Sequence, residues 1–387
     1  MKKTIFLFFF IMFVIGTDTF LISPLLPTLS HLYNVSMDKS SWMVSSYALG
    51  YAFFAFIAGP LSDNLDRKKV MIYGMFFFAL STFLCAEASS FWMMCLMRLI
   101  AGISAAFITP QIWASIPLVV KPEKIMKSMG IVTAGLAVSQ AFGLPIGSFL
   151  ASFSWRVPFF VLGGSSVVLL ILIGFIMPSI KQNGQEKKKL SIIKRYSVLF
   201  LNAKTIPLFA AYFIFQTGNF ASFNFLGTWL NEDYHFNISQ IGTSMIILGV
   251  GNFVGSVMGD GLINKFGKLN LLLSGLIIMA ALYGILPYYH NVWFIETVFF
   301  VLFFIAGVIF PIMMGLLQSL SVEGRGTIAA LSNATMYIGA TIGSFIAGIL
   351  YHRFGIFSAV TFFTMILFFI SFLMYKKTMS LKEQADS

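Results

Sequence analysis

Charge is what this sequence has least of. Only 10% of its 387 residues are Asp, Glu, Lys or Arg, where soluble domains carry roughly 25%, so the chain cannot cover a globule with polar surface. Acids are the scarcer sign, 14 against 25 bases, leaving a formal net charge of +11. The bases fall in short clusters between apolar runs, the pattern that sets membrane topology, and a nucleic-acid partner is excluded on that distribution. Cysteine is nearly absent. Cys85 and Cys95 flank one short loop and read as buried free thiols, with a disulfide on an oxidising face as the alternative. Four scattered histidines make no metal-ligand cluster. The sequence also lacks a nucleotide-binding loop and a nucleophile paired with a base, so no enzyme activity, cofactor or metal is expected.

What is abundant is apolar: 58% of the residues are hydrophobic and 45 are Phe. A spanning helix needs about 20 apolar residues, and twelve runs qualify: 4–29, 41–61, 70–88, 91–118, 128–152, 156–178, 205–230, 239–263, 269–289, 292–320, 327–351 and 355–375. With the N-terminus inside, 21 of the Lys and Arg residues lie on inner segments, and only Lys39, Arg156 and Arg353 lie outside. That split predicts an integral membrane protein with both ends cytoplasmic. The first run is too long, too rich in proline and too poor in small-residue cleavage sites for a removable signal peptide.

The longest polar stretch, 181–204, follows the sixth span and reads as a cytoplasmic linker between residues 1–180 and 205–375, with 376–387 as a cytoplasmic tail. The two halves echo each other. Ile146–Ala151 (IGSFLA) recurs as Ile342–Ala347 (IGSFIA), and Ile100–Gly102 (IAG) recurs at Ile305–Gly307. The loop from Leu61 has a degraded partner from Leu262, so the three offsets are 196, 205 and 201 residues. The predicted fold is all-α, twelve transmembrane helices in two pseudo-symmetric six-helix bundles, an architecture whose substrate sites lie near the midplane between halves.

Three segments carry finer information. The loop Gly59–Lys69 must turn sharply, and Asp63 is suited to cap amide donors while Arg67 bonds exposed carbonyls. The blander reading is that Arg67, Lys68 and Lys69 only anchor topology. The fourth span contains Leu96-Met97-Arg98-Leu99-Ile100-Ala101-Gly102, and the fifth contains Gly143-Leu144-Pro145-Ile146-Gly147-Ser148. Together these segments resemble the major facilitator superfamily over essentially the whole chain, and specifically its twelve-helix drug:proton antiporter branch. The loop matches G-x-L-x-D-R-x-G-R-K apart from Asn64 and Asp66, and the fourth span matches L-x-x-R-x-x-x-G. The fifth-span segment departs from the antiporter signature G-x-x-x-G-P-x-x-G-G. With the opening Gly16-Thr17-Asp18 and Leu25-Leu26-Pro27, it is similar to the variant in arabinose, nucleoside and chloramphenicol efflux permeases. The resemblance implies a loop (Gly59, Asp63, Arg67, Lys68) that latches the two halves, and a fifth helix (Gly143, Pro145, Gly147) that shapes packing between them.

The residues themselves pose one problem above others. A charge at a helix centre costs roughly 2.5–3.5 kcal/mol on insertion scales, so Arg98 should face protein or water. Gly102, Ala105 and Thr109 continue its face as a small-residue stripe, with Trp113 on the edge, a face that either lets neighbouring helices approach closely or lines the substrate cavity with Asp18. Asp18 is the one acid placed near the midplane; Glu87, Asp260 and Glu296 lie toward helix ends. Desolvation favours a neutral Asp18 and a neighbouring guanidinium favours the charged form, which makes Asp18, with Arg98, the candidate proton-coupling site. A fixed ion pair holding two helices together, or a role in substrate binding alone, are the competing readings. Pro24 and Pro27 would bend the first helix around the cavity.

In the seventh span Gln216, Asn219, Phe220 and Phe223 share a face that suits an amphipathic or aromatic ligand, and Asn333 and Tyr337 pair similarly in the eleventh. Interhelical hydrogen bonding explains these amides equally well. The resulting expectation is a monomeric, proton-driven exporter of a small organic molecule in the lipid bilayer of a bacterial plasma membrane. An uptake symporter for a sugar or metabolite, and a sensor or scramblase on the same scaffold, are the alternatives.

Overall fold

The computed structural model describes residues 2–62, 65–121, 124–180, 204–289, 291–320 and 325–386. The long helices are α1 (Lys2–Tyr33), α2 (Trp42–Ser62), α3 (Arg67–Ala86), α4 (Phe91–Val119), α5, α6 (Val157–Ile176), α7 (Thr205–Tyr234), α8 (Ile238–Phe266), α9 (Lys268–Ile285), α10 (Val292–Gln318), α11 (Arg325–Phe354) and α12 (Ser358–Asp386). The fifth is composite: Ile125–Val138, a π-helical turn Ser139–Gly143, then Leu144–Phe153. Each answers one of the twelve apolar runs. Among the described residues, 11 helices are long and apolar enough to cross a membrane. The twelfth, α7, has the length at 30 residues but is diluted by Gln216, Asn219 and Asn224. The linker 181–203 lies outside the described residues, and α12 carries the chain unbroken through the expected tail to Asp386.

Helix ends follow local chemistry. Asn34 ends α1 at φ 49°, with Val35 N donating to Ser30 O at 3.1 Å and Asn34 N to His31 O at 3.2 Å. This is a Schellman closure with Asn in the left-handed position. His235 ends α7 with the same left-handed backbone at φ 55°, Phe236 N reaching back to Leu230 O at 3.0 Å. The two residues are 201 positions apart, inside the range of the sequence offsets. Asn237 and Gln240 then exchange reciprocal 2.9 Å bonds at the start of α8, a capping box.

By packing, the chain falls into two compact units, Met1–Lys189 with Leu226–Ile246, and Leu190–Phe225 with Ile247–Ser387. The outer end of α7 and the first turns of α8 therefore belong with the first unit. In that unit α2 and α4 approach closely at two glycines. A Cβ on Gly102 would overlap the Tyr47 carbonyl, and one on Gly50 would sit 2.5 Å from Leu99 O. In the second unit α8 and α10 meet the same way: a Cβ on Gly307 would overlap Asn252 O, and one on Gly251 would lie 2.5 Å from Phe300 O. The repeated IAG thus marks a contact where only glycine lets two backbones approach. Replacing Gly102 by Ala is expected to lower the thermal midpoint of the purified protein by an amount matching about 1–3 kcal/mol. Gly164→Ala in α6, where a Cβ meets nothing within 4 Å, should leave the midpoint unchanged or raise it.

Candidate functional site

Asp18 of α1 and Arg98 of α4 meet in the dry interior of the first unit, both at 0% exposure. Arg98 Nη1 donates to Asp18 Oδ2 at 2.7 Å, and Nη2 donates to the Asp18 carbonyl at 3.2 Å. The guanidinium carbon lies 4.5 Å from the centre of the Tyr47 ring. Tyr47 Oη is in turn hydrogen-bonded to Thr19 Oγ1 at 3.0 Å. The Arg98 charge is therefore met by a carboxylate, a carbonyl and a π face. Asp18 Oδ1 differs, because it has no hydrogen-bond partner among the described residues.

Local structure explains how α1 tolerates this site. Thr17 and Thr19 return their hydroxyls to the Phe13 and Ile15 carbonyls at 2.8 Å, which satisfies Thr17 within the helix and leaves Thr19 with a second bond to Tyr47. The π turn of α5 packs directly beside them. A Cβ on Gly16 would overlap Ser139 Oγ, and one on Gly143 would overlap Thr17 Oγ1. Such turns insert an extra residue per turn and recur at functional sites.

The sequence profile of the Major Facilitator Superfamily matches residues 8–331 and 208–385. The uncharacterized MFS-type transporter YceJ of Bacillus subtilis (strain 168) is 56% identical over 372 residues, 96% of this chain and 95% of its own. The chain belongs to the major facilitator superfamily. As a superfamily member it is a multi-pass transporter of the cell membrane and not an enzyme. More distant relatives include Multidrug resistance protein 1 of Bacillus subtilis (26% identical; 86% of this chain, 85% of the relative) and Quinolone resistance protein NorA of Staphylococcus aureus (strain MRSA252) (24%; 91% and 90%). Among solved structures, a bacterial homolog of the human lysosomal transporter Spinster, inward-facing and unoccupied, has the same fold. Its TM-score is 0.81 at 14% identity, covering 97% of this chain and 96% of that one.

The superfamily loop between α2 and α3 is tied inside the first unit. Gly59 lies in the last turns of α2, and Asp63 lies outside the described residues. Asp66, which breaks the loop pattern, is the N-cap of α3, accepting from Lys68 N at 3.0 Å. It also accepts from Ser179 Oγ at 2.6 Å and Ile180 N at 3.2 Å, just beyond α6. Lys68 Nζ donates to Gly174 O at 2.7 Å, putting a cation on the C-terminal turn of α6. Arg67, expected to bond exposed carbonyls, donates from its backbone N to Ile180 O at 3.3 Å and from Nη1 to the Gln111 side chain of α4 at 3.2 Å, with Arg67 and Gln111 both buried.

The remaining candidates divide between the units. In the first, Gly102 is occupied by helix contact with Tyr47, Thr109 is buried two turns further along α4, and Trp113 is half-exposed. Gly143 and Gly147, expected between the halves, face Thr17 and Leu21 of α1 in their own bundle, because α1 needs their missing side chains to come close. Pro145 does meet the second half of the sequence: its carbonyl lies 3.6 Å from where Gly242 of α8 would carry a Cβ. In the second unit, Gln216 donates to Tyr212 Oη at 2.8 Å and Asn224 donates to Ser344 Oγ at 2.6 Å, an interhelical bond to α11. Phe223 packs on Phe303 with ring centres 6.0 Å apart. Phe220 and Tyr337 are buried, whereas Asn219 and Asn333 are half-exposed. Sequence reasoning missed Tyr47, Asp66, Gln111 and Ser139. Two of them left a signal, Tyr47 in its helical spacing with Gly50 and Tyr51 and Asp66 in its departure from the loop pattern.

Asp18→Asn leaves a buried guanidinium without its counter-charge and is expected to cost about 3–5 kcal/mol, read as a fall in the thermal midpoint in nanodiscs. The double change Asp18→Asn with Arg98→Gln, which removes both charges, should recover part of that loss.

Proposed function

We propose that this transporter exports a small organic molecule in exchange for protons, with Asp18 as the proton-accepting group and no cofactor. The observation that carries the reading is the asymmetry of the Asp18 carboxylate: Oδ2 is engaged by Arg98, while Oδ1 is buried and, among the described residues, without a hydrogen-bond partner. An open acceptor oxygen in a dry site is where a proton is held. Protonation there neutralises the carboxylate, weakens its hold on Arg98 and changes the relative stability of two arrangements of the helices that carry them. Transport direction then follows from which arrangement each ligand binds better. Arg98 keeps its charge throughout and retains the Tyr47 face and the Asp18 carbonyl as partners.

The export direction and the substrate class draw on two relatives named for drug and quinolone resistance. The half-exposed Asn219 and Asn333, near the buried aromatic residues Phe220, Phe223 and Tyr337, offer the mixed amide and aromatic chemistry that such a molecule would bind. The partners are the substrate, protons and the bilayer, and the chain acts as a monomer.

Everted vesicles from cells producing the protein, given an acid interior, are expected to accumulate a quinolone probe. The Asp18→Asn/Arg98→Gln protein, matched for abundance, should do so at least tenfold more slowly. Equal rates in the two vesicle preparations would remove Asp18 from the coupling, and loss of probe from loaded wild-type vesicles under the same gradient would reverse the direction.

A further inference from the structure

A guanidinium facing a carboxylate commonly engages both oxygens through two parallel N–H bonds. The buried pair of Asp18 and Arg98 does not. Its fork is split: Nη1 donates to Asp18 Oδ2, while Nη2 donates to the Asp18 backbone carbonyl. Arg98 Nε and Asp18 Oδ1 are both buried, and neither has a hydrogen-bond partner among the described residues. Each such atom carries a desolvation cost that pairing through both oxygens would reduce. A neighbour must therefore hold the split geometry in place.

Tyr47 of α2 is built to do so, because it is fixed at three points. Its ring covers the guanidinium, whose carbon lies 4.5 Å from the ring centre. Its carbonyl is wedged against Gly102, one turn beyond Arg98 on α4, where a Cβ would overlap it. Its hydroxyl is bonded at 3.0 Å to Thr19, the residue after Asp18 on α1. Thr19 has a single hydroxyl proton and gives it to Ile15 O at 2.8 Å, so Tyr47 is the donor in the bond between them. Tyr47 thus ties together the two helices that carry the charges, and its own proton is aimed at Thr19 instead of the carboxylate. A planar cation stacked on a fixed ring keeps its plane. In the plane set by Tyr47, the fork meets one carboxylate oxygen and the carbonyl.

We infer that Tyr47, latched by Thr19, is the positioning residue of this site: it holds Arg98 on one oxygen of Asp18 and keeps the other oxygen open. Without the ring, the guanidinium turns and closes on both oxygens. The consequence for transport rests on the proposed role of Asp18, since the open oxygen is the one that takes the proton in that reading. The geometry itself is tested without substrate.

The infrared spectrum of the Asp18 carboxylate reads the pairing directly. The protein, isotope-labelled at its aspartate carboxyl carbons, is placed in nanodiscs at alkaline pH, and the spectrum of the Asp18→Asn/Arg98→Gln variant is subtracted. A carboxylate bonded through one oxygen has widely split antisymmetric and symmetric stretching bands, and one bonded through both has a narrow splitting. Wild type is expected to show the wide splitting and Tyr47→Leu to lose it. Tyr47→Phe and Thr19→Val, which keep the ring and remove the latch, should match each other and lie between these two. Thermal midpoints report whether each variant is folded. A wide splitting in folded Tyr47→Leu, or a narrow one in wild type, overturns the inference. Should Tyr47→Leu not fold, an unshifted splitting in both latch variants overturns it instead. The proton role of Asp18 fails separately: acidifying the wild-type sample then raises no Asp18 carboxylic-acid band, while the splittings keep the expected order.

Discussion

A guanidinium sealed away from water cannot shed its charge, so the bundle around Arg98 has to be built to answer it. Much of the first unit follows from that demand. Asp18 has to come from α1, which requires α1 to lie close to α4. Tyr47 has to offer its ring from α2, which requires α2 to approach α4 until the Tyr47 carbonyl fills the space a side chain at 102 would take. The π turn of α5 backs α1 at Gly16 and Thr17, immediately before Asp18. The α2–α4 and α1–α5 approaches are each licensed by glycines, and together they keep the pair dry.

The duplicated architecture gives this site a counterpart without its charge. The seventh helix repeats the first at an offset of 201, as Asn34 and His235 show, so Asn219 is the sequence counterpart of Asp18. By the IAG offset of 205, Phe303 is the sequence counterpart of Arg98. Phe303 packs on Phe223, and Asn219 is half-exposed. The glycine contacts repeat in both units while the chemistry does not: one half holds a buried ion pair, the other an amide and aromatic rings. Duplication has preserved how helices touch and has left their central residues to specialise.

The elements that were legible in the sequence are those set by one dimension of physics. Twelve apolar runs gave twelve helices because bilayer thickness fixes helix length and leaves the chain few other choices. Asp18 and Arg98 stood out because charge is so costly among apolar neighbours. What escaped was tertiary. Asp66 broke a pattern and looked like a loss, yet it caps α3 and ties it to the end of α6. For Gly102 the sequence left close helix approach and cavity lining both open, and contact with α2 takes up its place. Nor did the sequence reveal that the α7–α8 corner packs with the first unit, since order along the chain assigns it to the second half.

The π turn at Ser139–Gly143 sets a constraint of its own. Every residue in an α-helix turns the chain by about 100°, so losing one position from this turn would swing Gly147 away from Leu21 and Ser148 away from Gly242 at once. Length changes that outer loops absorb freely would here uncouple α5 from α1 and from α8 together. The register of a single helix thus governs both the wall behind the buried ion pair and the contact with α8.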